Sequence, residues 1–227
     1  MSGPSRYTWA LALVALSCPV AAEPLSEFQT WTSVAVSGPL RGAWRYAADV
    51  HLRFGDDSSR YSQGIVRPGV GYALSDETSL WAGYAYIESE APFAAQPTDE
   101  HRLWQQLSWT QPTPLGLFTS RTRLEQRNLE TGDDTGWRLR QSLRLAHPLA
   151  RVPRTSVVTW NEIFFHLNDT DWGVETGMDQ NRLFIGLGHE LAAHLRGEAG
   201  YLNFYQHRPR DADRLNHLLW LSLAFQF

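Results

Sequence analysis

From residue 28 onward the chain alternates between side chains of opposite character in runs of about ten, the length and period of a tilted strand crossing a bilayer. Eleven such segments are legible, at roughly 28–36, 44–54, 61–73, 79–89, 100–111, 116–127, 137–147, 156–167, 180–191, 195–205 and 215–227. In 116–127, Arg121, Arg123, Glu125 and Arg127 share one parity, and Thr122, Leu124 and Gln126 share the other. In 137–147, Arg138, Arg140 and Arg144 alternate with Trp137, Leu139, Leu143 and Leu145. Segment 44–54 sets Arg45, Asp49, His51 and Arg53 against Tyr46, Ala48, Val50, Leu52 and Phe54. Successive side chains of a strand point to opposite faces, so each segment carries one charged and one apolar face. No stretch sustains a helical period and no linker divides the chain.

An arginine turned toward mid-bilayer lipid costs about 2–4 kcal/mol, so the charged faces are expected to turn inward in a closed barrel. After Ala22 no run approaches the continuous apolar length of a membrane helix, and closed barrels are the other structure that satisfies its backbone in lipid. The expected fold is therefore all-β: a single antiparallel transmembrane β-barrel. Connections alternate between short ones and mostly longer ones, the pattern of periplasmic turns and external loops, which brings the last segment down to end in the periplasm. Single-chain bacterial barrels have even strand numbers. Eleven segments thus imply ten strands, with 28–36 outside the wall, or twelve with one unread; twelve is the preferred count. Trp44, Tyr61, Tyr72, Tyr86, Trp109, Trp137 and Tyr205 fall near segment ends, where interfacial girdles form.

The N-terminus sets the compartment. Arg6 precedes the apolar run Trp9–Leu16, Pro19 breaks it, and Val20-Ala21-Ala22 offers small residues at a cleavage position. Residues 1–22 are expected to be a signal peptide and 23–227 the mature barrel, located in the outer membrane of a Gram-negative bacterium. Cys18 raises a lipoprotein alternative, but Ala15-Leu16-Ser17 matches a lipidation site weakly. Cleavage after Ala22 removes the single cysteine, which excludes disulfides, thiolate metal sites and cysteine nucleophiles from the mature chain. It also removes Arg6, leaving 19 − 24 = −5 formal charges, a balance that argues against a nucleic-acid partner.

Several motifs resemble one family. Phe28-x-x-Trp31, Glu100-His101-Arg102-x-x-Gln105-Gln106, Asn161-Glu162-x-x-Phe165-x-x-Asn168, Gln180-Asn181-Arg182 and Gly200-Tyr201-x-Asn203 are similar, in order and spacing, to the bacterial domain of unknown function 2490 family. The likeness covers nearly the whole mature chain and implies an outer-membrane barrel, without supplying an activity.

The candidate chemistry lies on the inward parity. Its cations are Arg45, Arg53, Arg67, Arg102, Arg121, Arg123, Arg127, Arg138, Arg140, Arg144, Arg182 and Arg196, against Asp49, Glu100, Glu125, Glu162, Glu190 and Glu198. Either these charges satisfy one another as a packed interior network, or their cationic excess makes a narrow anion-preferring path. A lipid-modifying outer-membrane hydrolase is a further alternative. Glu162 and His166 are its nearest acid–base pair, although i and i+4 on a strand are about 13 Å apart. No nucleophile motif or His-Glu-x-x-His zinc pattern is present, so no catalytic residue, metal ligand or cofactor is assigned. Phe227, at the end of the last segment, is the expected signal to the barrel-assembly machinery. The expected partners are outer-membrane lipid and lipopolysaccharide, with oligomeric state open. The longer connections are rich in carboxylates, among them Asp133, Asp134, Asp169, Asp171 and Asp179, suited to divalent cations shared with lipopolysaccharide or simply to water.

Overall fold

A computed structural model describes residues 25–209 and 211–227; the expected signal peptide, residues 1–22, lies outside them. Eleven strands follow one another in chain order: β1 (Phe28–Pro39), β2 (Trp44–Gly55), β3 (Arg60–Ala73), β4 (Thr78–Ser89), β5 (Thr98–Thr113), β6 (Gly116–Leu129), β7 (Thr135–Pro148), β8 (Thr155–His166), β9 (Gly177–Ala192), β10 (Leu195–Gln206) and β11 (Arg214–Gln226). Each pairs with its sequence neighbours, and β1 pairs with β11 to close the barrel.

That closure corrects the expected count and the all-antiparallel arrangement. The described residues form a closed barrel of eleven strands, not twelve or ten, and the first segment is a full wall strand. Up-and-down neighbours alternate in direction, so an odd number leaves the first and last strands running the same way. β1 and β11 accordingly pair in parallel, from Phe28 opposite His217 to Ser37 opposite Gln226, while every other pair is antiparallel. Phe227 extends the seam by donating its N–H to the Ser37 carbonyl at 3.0 Å.

One end of the barrel carries the connections 40–43, 74–77, 114–115, 149–154 and 193–194, and the other carries 56–59, 90–97, 130–134, 167–176 and 207–213. At the second end the loops dock on one another. Asp171 accepts the backbone N–H groups of Asp133 and Asp134, and the Trp172 indole N–H donates to the Asp134 carbonyl at 2.9 Å. Asn168 receives the Trp137 N–H at 2.7 Å and donates to the Thr135 carbonyl.

The alternation of the sequence becomes an inside and an outside. Outward positions expose large apolar side chains around the wall, including Val34, Val50, Val66, Leu103, Leu143, Ile185 and Leu221. Trp44, Tyr72 and Trp109 lie toward the short-turn end of this face, and Tyr86, Trp137 and Tyr205 toward the other. Inward positions form the core. One cluster, of Trp31, Ala146, Val158, Phe184, Leu202, Phe204 and Leu218, joins β7–β11 to β1; a second, of Ile65, Ala85, Ile87 and Trp104, lines β3–β5. Gly83 makes room for the second: a Cβ there would lie 2.3 Å from the Trp104 ring, so this approach requires glycine.

Candidate functional site

The inward charges condense into three groups because registered strands bring opposite signs level. Glu125 on β6 and Arg138 on β7 are Cα partners, and the two guanidinium nitrogens Nε and Nη2 of Arg138 donate to one carboxylate oxygen at 3.0 and 2.6 Å. The other oxygen of Glu125 receives Arg140 at 2.6 Å, and Arg140 also donates to Glu162, which takes Arg121 at 2.6 Å. Glu100 holds Arg102 and Arg127 in paired donations of 2.5–3.1 Å. Arg102 and Arg123 each approach Glu125 at 4.0 Å, which links these pairs into one network. Glu100, Glu125 and Glu162 are all buried within it. Ionised groups in such surroundings persist only when paired and hydrogen-bonded.

The second group is Asp49 with Arg67 at 2.9 Å and His51 at 2.8 Å. The third is Glu198, which binds Arg144 and Arg196 near the short-turn end. Arg45 and Glu190, though on inward-parity positions, are exposed near that end and form no ion pair among the described residues.

Arg53 and Arg182 stand apart. Both are buried, and neither lies within ion-pair distance of a carboxylate among the described residues. Arg53 donates to the Gln63 amide oxygen at 2.6 Å and Arg182 to that of Gln180 at 2.7 Å. Their guanidinium carbons sit 3.8 and 5.0 Å from the Trp31 ring centroid, and Arg182 also lies 4.4 Å from Phe164 and 4.9 Å from Phe204. Ring faces attract cations through their quadrupole without neutralising them.

The side chains leave a lumen cavity of about 580 Å³. Nine arginines line it (53, 67, 102, 121, 127, 138, 140, 144 and 182) against the three carboxylates Glu100, Glu162 and Glu198. Small residues of the parallel seam, Ser33, Ala35, Ser222 and Ala224, form one wall, with Trp160 and Trp220 beside them. Phe93 and Trp172 reach the cavity from loops at the long-connection end.

Sequence reasoning missed two contributors. By sequence Asp179 falls in an acidic connection, but in the structure it accepts from Arg138 at 3.3 Å and pairs with His166 at 3.2 Å. The register shifts between Phe164 and Phe165, where Gln180 and Met178 are the successive partners, so Asp179 is the extra residue of a bulge. Parity counting cannot place a bulged side chain. The inward aromatics Trp160, Phe164, Phe204 and Trp220 are further site residues beyond the sequence reading; they share parity with the charges on their own strands, which is the available signal, whereas Trp31 lies on a strand without charges and is marked only by its motif.

Glu162 and His166 do not meet: Glu162 is held by Arg121 and Arg140, and His166 by Asp179. Of the motif positions, Trp31, Gln106, Gln180 and Gly200 take inward places. Phe28, His101, Gln105, Asn161, Asn181, Tyr201 and Asn203 take outward ones, and Asn168 holds the loop contact. Outward polar groups bond laterally, as with Tyr201 and His217 at 2.5 Å, Asn161 and Asn181 at 3.1 Å, and Tyr84 with His101. Among the loop carboxylates, Asp134 accepts the Asp171 N–H at 2.8 Å, and Asp169 accepts the Thr176 N–H and hydroxyl at 2.6 and 2.8 Å. Among the described residues no cluster of three metal-ligating side chains forms.

Comparison with known proteins matches residues 28–216 to the family model described as protein of unknown function (DUF2490). An uncharacterized protein of Methylorubrum extorquens is 37% identical over 219 residues, covering 96% of this chain and 95% of the relative.

Proposed function

The chain belongs to the DUF2490 family, and on that premise we propose that it is an outer-membrane barrel whose charge-locked lumen holds a narrow, anion-preferring path for small solutes. The observation that carries this reading is the lumen cavity, lined by nine arginines and three carboxylates, whose balance stays cationic when Asp49, Glu125 and Asp179, paired with lining arginines from behind, are counted as well. The paired charges act as girders: they tie β5 through β9 together across the interior and hold the guanidiniums in place. The excess sets the sign of the field, and a ring of fixed cations lowers the barrier to anions and raises it to cations. The membrane setting is supported by the apolar outer face, by aromatic side chains toward both ends of it, and by the signal-like segment 1–22.

In this setting the long connections face outward toward lipopolysaccharide, and the short turns and Phe227 face the periplasm, where β11 is read by the assembly machinery. Asp134, Asp169 and Asp171 are then chiefly acceptors that shape the loops, while Asp133 remains at the lipopolysaccharide-facing rim.

Planar-bilayer recording of the purified full chain in a potassium chloride gradient tests the proposal. Small unitary steps with a reversal potential displaced toward that of chloride are expected. Electrical silence, or cation selectivity, overturns the path. Fractionation settles the compartment separately: the protein should appear in the outer membrane, heat-modifiable on gels, with a mature N-terminus at Glu23.

A further inference from the structure

We infer that the lumen contains a binding site for a small organic anion, a carboxylate carried on an apolar or aromatic body, seated on Arg53 and Arg182 beside Trp31. The inference rests on the reading of the lumen as anion-attracting and names what it takes up. Arg53 and Arg182 are 8% and 9% exposed, yet no carboxylate of the described chain pairs with either. The Nε of each is buried without a hydrogen-bond partner. The two guanidiniums share the Trp31 ring, so each has another cation and no carboxylate for a close charged neighbour there. Glu162, the Cα partner of Arg182 across β8 and β9, is already committed to Arg121 and Arg140.

Two buried guanidiniums without a counter-ion are unfavourable, and removing the partner of a buried charge is strongly destabilising. The missing partner has a definable shape. A guanidinium is a planar fork that matches a carboxylate, which can accept two parallel N–H bonds. Both forks border the cavity, so an anion entering it meets them. The rest of the ligand is constrained by the same walls. Trp160 and Trp220 present partly exposed ring surface, and the small seam residues Ser33, Ala35, Ser222 and Ala224 leave the space beside it. A cavity of about 580 Å³ lies within the range of small-molecule sites, which pair apolar walls with a few placed polar groups.

The probe is phenylacetate, titrated into the full chain folded in detergent micelles and followed by tryptophan fluorescence and calorimetry. Saturable binding is expected, weakened about tenfold or more by Arg53→Gln or Arg182→Gln, since each removes a charge-assisted contact. Arg45→Gln, at an exposed position, should leave binding unchanged. Ser222→Phe fills the cavity while keeping both guanidiniums and should abolish binding in a barrel that remains heat-modifiable. Acetate and sulfate binding as tightly as phenylacetate would overturn recognition of the apolar body. Equal binding of benzyl alcohol would overturn the role of the guanidiniums, and undiminished binding to Ser222→Phe would overturn the location. A barrel that conducts chloride but does not bind phenylacetate loses this site and keeps the path. One that binds phenylacetate while electrically silent keeps the site and loses the path.

Discussion

Glu125 and Arg138 face each other as registered partners on β6 and β7, and the Arg138 guanidinium grips one carboxylate oxygen with two nitrogens. The other oxygen holds Arg140, so one carboxylate bridges two buried cations. Glu125→Gln removes one negative charge from between them, leaving Arg138 with Asp179 at 3.3 Å and Arg140 with a Glu162 that it shares with Arg121, and breaking a buried pair in this way costs about 3–5 kcal/mol. The expected outcome is a barrel that loses heat-modifiability at lower temperature and unfolds at lower urea concentration than wild type. Replacing Glu125 and Arg138 together by Gln and Leu should recover part of that loss, which a double-mutant cycle measures.

The two faces of β7 predict opposite sensitivities. Leu143 is exposed on the outer face in the middle of the strand, whereas Arg140 is buried inside. In the proposed membrane setting, Leu143→Arg places a cation in hydrocarbon at a cost of about 2–4 kcal/mol. It should reduce the amount of assembled, heat-modifiable barrel in the outer-membrane fraction. Arg140→Leu should assemble, with altered stability or conductance. The reverse result would mean that this strand is assigned inside out.

The parallel seam makes a sharp test of closure. Val34 and Leu223 are Cα partners on β1 and β11 and both face outward. The single native cysteine, Cys18, falls in the segment expected to be cleaved. A Val34→Cys, Leu223→Cys chain treated with a short thiol cross-linker should give the compact, cross-linked species seen on gels. Val34→Cys combined with Ala199→Cys should not cross-link with the same reagent, because Ala199 pairs with Leu221 one strand further round.

Acid should loosen the long-loop end before the wall. The Asp171 carboxyl is held below its ordinary value chiefly by the hydrogen bond from the Asp133 N–H, with the Asp134 N–H adding to it. A depressed folded-state value means that the contribution is complete above the ordinary carboxylate range and is lost as pH falls through the folded value. Limited proteolysis within 167–176 should therefore be slow at neutral pH and accelerate only in strong acid. Asp171→Asn should cleave faster at neutral pH and show little further change on acidification.

How much of this could be read before folding follows from which interactions are local. The period-two alternation determined the strands and which side chains share a face, because side-chain direction in a strand depends on the backbone alone. It therefore brought Arg121, Arg123, Glu125, Arg127, Arg138 and Arg140 to one side, and Leu219, Leu221 and Leu223 of the last strand to the other. The DUF2490 membership was legible in motifs spread along the chain. What alternation could not determine was register between strands and the way the sheet closes. Those depend on contacts between residues far apart in sequence, such as Phe28 with His217, and they produced eleven strands and a parallel seam where even closure was expected. Register set Glu125 opposite Arg138 and Glu162 opposite Arg182, yet side-chain placement commits Glu162 to Arg121 and Arg140 and leaves Arg53 and Arg182 without an ion pair, and a single bulge turned Asp179 from an expected loop acid into a partner of His166. A count of charges on one parity is the same for a paired network and for an anion site. Only the three-dimensional positions of the carboxylates distinguish them, because an ion pair requires contact within a few ångströms and a sequence carries no such distances.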